Sequence, residues 1–205
     1  DGMTQPMSLI CQLSGISYED MKPFDSQRSK NTKPAMLREL EKLGITPSYR
    51  APLLAVLNDG AYALMINHIH KNGTSAREIT AATLDSREEL HRVVDALRSS
   101  GGIWENVRIS STAESIGVRE GRRLRGLYTV TAEDVYAGKQ FPDGICTVSG
   151  NTDIHSVRPG NAGYDDYLKG NKHPPYQIPL RCLINKTIEN LLMGGRCISG
   201  DFVAH

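Results

Sequence analysis

The last sixteen residues, Asn190-Leu-Leu-Met-Gly-Gly-Arg-Cys-Ile-Ser-Gly-Asp-Phe-Val-Ala-His205, constrain the fold most. Leu191, Leu192 and Met193 form a short apolar run of the kind that a parallel sheet buries on both faces. Gly194 and Gly195 remove side chains where backbone has to come close to something else. Arg196 follows at once, and Ser199 and Asp201 are residues that cap a helix start. A strand, a glycine turn and a helix start make an anion site, because free N–H groups and the helix dipole point at the ligand. The reading is a strand entering a cofactor-type turn, and with it the expectation that the chain is a piece of a larger protein.

Upstream, the patterns alternate between strand and helix. Met3 to Ser14 reads as a strand. Met36, Leu37, Leu40 and Leu43 fall at helical spacing between Pro34 and a stop at Gly44. Leu53–Leu57 and Tyr62–Ile66 flank Asn58-Asp-Gly-Ala, the strongest local hairpin signal in the chain. Thr74 or Ser75 is the expected N-cap, with Glu78 in capping-box position to Ser75, of a helix running to about Arg98 and closing at Gly101-Gly102, with Ile79, Leu84, Leu90, Val93, Val94 and Leu97 as its apolar face. Trp104–Ser110 and Leu124–Val130 are expected strands, Thr131 caps a short helix ending at Gly138, and Gly150–Pro175 reads as loop. This order predicts an α+β fold, a largely antiparallel sheet with helices on one face.

Composition excludes more than it assigns. The formal net charge is +1, so charge implies neither a nucleic-acid nor a membrane partner. No apolar run approaches the length needed to span a bilayer. Cys11, Cys146, Cys182 and Cys197 include no C-x-x-C pair, which excludes the usual zinc spacings and reads as buried free thiols. His68 and His70 stand two apart without an evident third ligand, so no metal is expected. Asp1 is not an initiator methionine, and the compartment is not legible from the N-terminus.

Four stretches in order resemble the FAD-dependent oxidoreductase family, some members of which carry a xanthan lyase label. Gln5-Pro-Met-Ser-Leu9 looks like its Q-P-M-T-L strand. Gly117-Val-Arg-Glu-Gly-Arg-Arg123, Gly126 and Thr131-Ala-Glu-Asp-Val135 look like its G-V-R-E-S-R-R and T-x-E-D-V motifs. Asp153-Ile-His155 and Tyr176-Gln-Ile-Pro-Leu-Arg-Cys-Leu183 look like its D-I-H and Y-x-I-P-x-R-C-L stretches, and the C-terminal run looks like N-L-L-x-A-G-R-C-I-S. The chain departs from the pattern at Gly121, Asn185, Gly194 and Gly200-Asp-Phe-Val203.

The resemblance implies the substrate-side domain of a two-dinucleotide-fold-type flavoprotein over residues 1–185, with 186–205 beginning the return strand into an FAD domain. The dinucleotide glycine motif G-x-G-x-x-G is absent from the sequence, so FAD is expected to need the remainder of the polypeptide and not to stay on this chain alone. The implied activity is oxidation of a small-molecule substrate by hydride transfer to FAD. The resemblance puts Gly195, Arg196 and Ser199 at the cofactor, and His155, Arg119 and Tyr176 at the chemistry. Asp153 and His155, two apart on an extended segment, share a face, which suits a tautomer-fixed base of raised pKa. Arg119, oriented by Glu120, would stabilise negative charge beside the flavin, and Arg181 would hold a substrate carboxylate. A polysaccharide lyase and a non-catalytic binding module are the alternatives.

Overall fold

The computed structural model describes residues 4–28, 32–58, 60–150, 152–159 and 173–204. The chain divides into two units, Asp1–Val118 with Val157–Ala162, and Arg119–Ser156 with Gly163–His205. The expected Gly150–Pro175 loop lies largely outside the described residues.

The first unit is built on a four-stranded antiparallel sheet. Its strands are β1 (Cys11–Ser14), β2 (Leu53–Asn58), β3 (Ala61–Met65) and β4 (Arg108–Thr112), in the order β2-β3-β1-β4. The hairpin signal is realised as β2–β3, with Leu54 opposite Leu64 and Val56 opposite Tyr62. Cys11 then sits opposite Leu64 and Leu13 opposite Tyr62. Alternation thus aligns Leu54, Leu64 and Cys11 in one apolar row and Val56, Tyr62 and Leu13 in the next. Ahead of β1, the buried Asn67 side chain stands in for a strand neighbour. Its Oδ1 accepts from Leu9 N at 2.7 Å and its Nδ2 donates to Leu9 O at 3.2 Å.

Helices cover the apolar rows. Besides the short α1 (Tyr18–Met21), these are α2 (Thr32–Lys42) and α3 (Ala76–Ser99). Ser75 caps α3 by accepting from Glu78 N at 3.4 Å, while the Glu78 carboxylate accepts from Asn72 N at 2.7 Å. Met36 and Leu40 of α2 and Ala82, Leu90, Val93, Val94 and Leu97 of α3 join the sheet residues in one buried cluster. Each large member contributes roughly 1.5–3 kcal/mol of burial. Leu84, read as part of the α3 face, is instead 61% exposed. It stands two residues past Ala82, well round the helix from the buried stripe. Trp104 lies not in a strand but in a 3₁₀ turn over Gly102–Trp104, buried against Phe24, and β4 begins only at Arg108.

The second unit holds α4 (Ala132–Tyr136) and a two-stranded antiparallel pair, β5 (Gly144–Val148) and β6 (Tyr176–Pro179). Thr131 and Asp134 form the full capping box of α4. Two expected strands are not found. Leu124–Val130 makes only single bridges, Gly126 to Asn185 and Val130 to Gly200. Leu191–Met193 makes one antiparallel bridge, Leu192 to Ile184, and Leu192 is 61% exposed. An apolar triplet fits a buried strand only where neighbours cover both faces, and here they do not. Among the described residues, no helix is long and apolar enough to cross a membrane.

Candidate functional site

The second unit owes its shape to irregular segments that satisfy one another's backbone. Leu124 N donates to Cys197 O at 2.8 Å, Tyr128 N to Arg181 O at 3.2 Å, and Val130 N to Ser199 O at 3.0 Å. Asp201 N returns to Val130 O at 2.9 Å, and Ser199 N to Cys182 O at 2.9 Å. Side chains reinforce the weave. Arg123 donates from Nη1 to Gly200 O at 3.0 Å and pairs with the buried Glu120 carboxylate. Burial pulls the Arg123 guanidinium down from its usual range, against the carboxylate of Asp201, which raises it. Asp201 accepts from Ala132 N at 2.6 Å through one oxygen and from Val203 N and Ala204 N through the other. At Gly126 a Cβ would lie 2.9 Å from Tyr128 O and 3.1 Å from Arg181 O, so the close approach requires glycine.

Three of the motif stretches recognised in the sequence, around 119–135, 176–183 and 195–201, therefore interlock. A fourth meets the 117 stretch in the first unit, where Gly117 and Ser8 exchange hydrogen bonds of 2.8 and 3.2 Å. The match to the family model described as FAD dependent oxidoreductase runs over residues 1–205. The chain belongs to the FAD-dependent oxidoreductase family. No curated protein and no solved structure matches it.

Within this family member the individual site residues differ in what they offer. Gly195 has φ +64°, the left-handed region, in a 3₁₀ turn over Gly195–Cys197. A Cβ built on Gly194 or Gly195 meets nothing within 4 Å, and Arg196 is exposed. Open backbone beside a charged guanidinium fits a phosphate-bearing cofactor such as FAD. Ser199 is different: it is buried, its hydroxyl bonds Thr129 Oγ1 at 2.9 Å, and it fixes the turn from behind.

His155 Nε2 lies 3.6 Å from Asp153 Oδ1, as the spacing suggested, with the imidazole side chain 12% exposed and the carboxylate 66%. Tyr176 is buried on β6, edge-on to His173 at 5.2 Å between ring centroids. Burial, and then the neighbouring Cys146, holds its phenol above the usual tyrosine range, so it keeps its proton at neutral pH. Arg119 is half-buried.

Arg181 does not wait for a substrate carboxylate. Its Nε and Nη2 grip Asp143 at 2.9 and 3.1 Å, a bidentate pair that lowers the Asp143 carboxyl and raises the guanidinium. Sequence reading missed this pair, the bond from Arg123 to Gly200 O and the bond from Ala132 N to Asp201, because partners 38 to 77 residues away leave no local signal. The capping role read for Asp201 is present in its bonds from Val203 N and Ala204 N. Of the thiols, Cys11 and Cys182 are buried as expected, while Cys146 is exposed and Cys197 half-buried. Among the described residues, no cluster of His, Cys, Asp or Glu is arranged to hold a metal ion.

Proposed function

We propose that this chain forms the substrate-side part of a flavin enzyme that oxidises a small organic substrate by hydride transfer to FAD. The observation that carries the reading is the interlocking of the 119–135, 176–183 and 195–201 stretches, which ties the open Gly195-Arg196 turn to the segment that follows Arg119. FAD, when bound, supplies the hydride acceptor. Gly195 and Arg196 would contact it, and Ser199 would keep their turn in place. The pyrophosphate cradle is assigned to the remainder of the polypeptide, since G-x-G-x-x-G does not occur between residues 1 and 205.

His155 is assigned as the base. The Asp153 carboxylate, 3.6 Å away, favours by its charge the imidazolium that forms when the substrate loses its proton. Tyr176, protonated at neutral pH, suits a hydrogen-bond donor to substrate oxygen rather than a base. Arg119 is the electrostatic partner, orienting an electron-rich group by its fixed positive charge.

The test is made on the flavin-loaded protein expressed with its flanking polypeptide. His155→Ala should slow flavin reduction about a hundred-fold or more, the usual share of a general base, with flavin content unchanged. A protein that takes up no flavin would reject the cofactor reading. Unchanged reduction kinetics in the variant would reject His155 as the base.

A further inference from the structure

The first unit carries a cleft of about 820 Å³ that the flavin reading does not use. That volume falls within the range of small-ligand pockets, about 300–1,000 Å³. One wall is a single face of α3, where Asp85, Glu88, Glu89 and Arg92 follow at helical spacing. The facing wall comes from the Thr46–Arg50 segment, with His68 and His70 from the segment that follows β3.

The floor is polar, buried and fixed. Glu89, 6% exposed, accepts from Ser48 N and from Ser48 Oγ, each at 2.6 Å. The same hydroxyl oxygen accepts from His68 N at 3.0 Å. The His68 ring is stacked on Tyr49 with centroids 4.0 Å apart, which sets its plane. Burying a carboxylate is costly unless it is hydrogen-bonded, and here both oxygens are held by one serine.

The charges in the walls almost cancel: Arg50 and Arg92 stand against Asp85, Glu88 and Glu89. Several are already committed. Asp85 pairs with Lys71 at 2.5 Å and Arg50 with Glu41 at 3.0 Å. Glu88 and Arg92, one helical turn apart, make no ion pair or hydrogen bond among the described residues. An acceptor and a donor therefore stand side by side over a rigid polar floor. An anion would face three carboxylates, and a cation two guanidiniums. A hydroxyl accepts from a guanidinium while donating to a carboxylate, so neighbouring hydroxyls on one neutral molecule satisfy both.

We propose that this cleft binds a neutral polyhydroxylated ligand of the sugar or cyclitol class, with Glu88 and Arg92 as its principal hydrogen-bonding residues. The proposal is independent of the flavin assignment, because binding is read without flavin. The 205-residue chain, labelled with ¹⁵N, is titrated with maltose, cellobiose and myo-inositol, and separately with glycine and succinate. At least one of the neutral polyols should give saturable shifts at millimolar concentration, confined to residues 46–50, 68–70 and the Asp85–Arg92 turns of α3. Glu88→Ala and Arg92→Ala should each weaken that binding about ten-fold, the share of a charge-assisted hydrogen bond. Both residues are exposed, so neither variant should alter the circular dichroism of the fold. Absence of saturable shifts with all three polyols, tighter binding of glycine or succinate at these residues, or polyol binding that survives both substitutions would each overturn the proposal.

Discussion

Gly126→Ala should loosen the second unit without altering His155, Tyr176 or Arg119, the residues assigned to the chemistry. The added Cβ would lie 2.8 Å from Ser199 Cβ, 2.9 Å from Tyr128 O and 3.1 Å from Arg181 O. Real Cβ atoms essentially never approach another heavy atom within 3.0 Å, so the contacts with Ser199 Cβ and Tyr128 O require something to shift, and the one with Arg181 O is tight. Two of the three atoms are backbone and the third belongs to a buried serine. None can swing away, and relief has to come from separating the 126–130, 181 and 199 segments. Overpacking of this kind costs about 1–3 kcal/mol. At about 2–4 °C per kcal/mol for a chain of this length, the melting temperature should fall by about 2–12 °C. The matched control is Gly194→Ala, whose Cβ meets nothing within 4 Å. Scanning calorimetry of the pair decides the matter. A Gly126→Ala protein that melts with the wild type, or a Gly194→Ala protein that falls as far, would refute the close-approach argument.

Further outcomes are expected on the same basis. Gly195→Val, placing a β-branched residue at φ +64°, should abolish flavin retention in the flavin-loaded protein, checked by its absorption spectrum after gel filtration. Asp134 should contribute to acid stability: burial pushes its carboxyl up, but bonds from Lys139, Tyr128 and the Thr131 N–H outweigh this and leave it lowered. A lowered native pKa means stability present above the unfolded value, about 4, and lost as pH falls through the native one. Melting temperatures from neutral pH downward should therefore drop more steeply for wild type than for Asp134→Asn. Thiol alkylation of the native protein at mildly alkaline pH, followed by mass spectrometry, should modify Cys146 first. Cys11 and Cys182, whose thiols burial pushes up to about 12 and about 11, should react only after unfolding.

What the sequence disclosed divides along the line between local and distant causes. The β2–β3 hairpin and the Ser75 and Thr131 caps are all written within a few residues, and all are present. The carboxylate expected to close a box on Ser75, that of Glu78, accepts instead from Asn72 N. So is the α+β class, since alternating and helical periods survive any tertiary arrangement. Leu84 and the Leu191–Met193 run misled for one reason: apolar character does not say whether another element will cover it. β5, with four of its five residues exposed, has too little apolar alternation to be noticed. Within the candidate site, the Asp153–His155 approach was legible because both partners lie on one segment. The engagement of Arg181 by Asp143 was not, and an arginine that looked available proved to be structural.

The weave of the second unit also bears on how the protein is made. A ribosome releases the chain from its N-terminus, and the β2–β3 hairpin and α3 need only neighbouring residues to form. Leu124, Val130 and Ala132 have their N–H acceptors in Cys197, Ser199 and Asp201, about seventy residues later. Until those have emerged, the amides of Leu124, Val130 and Ala132 lack these acceptors, and contacts of such separation close slowly. Translation that stalled before Cys197 would expose a folded first unit beside an unassembled second, a product that chaperones and proteases can recognise.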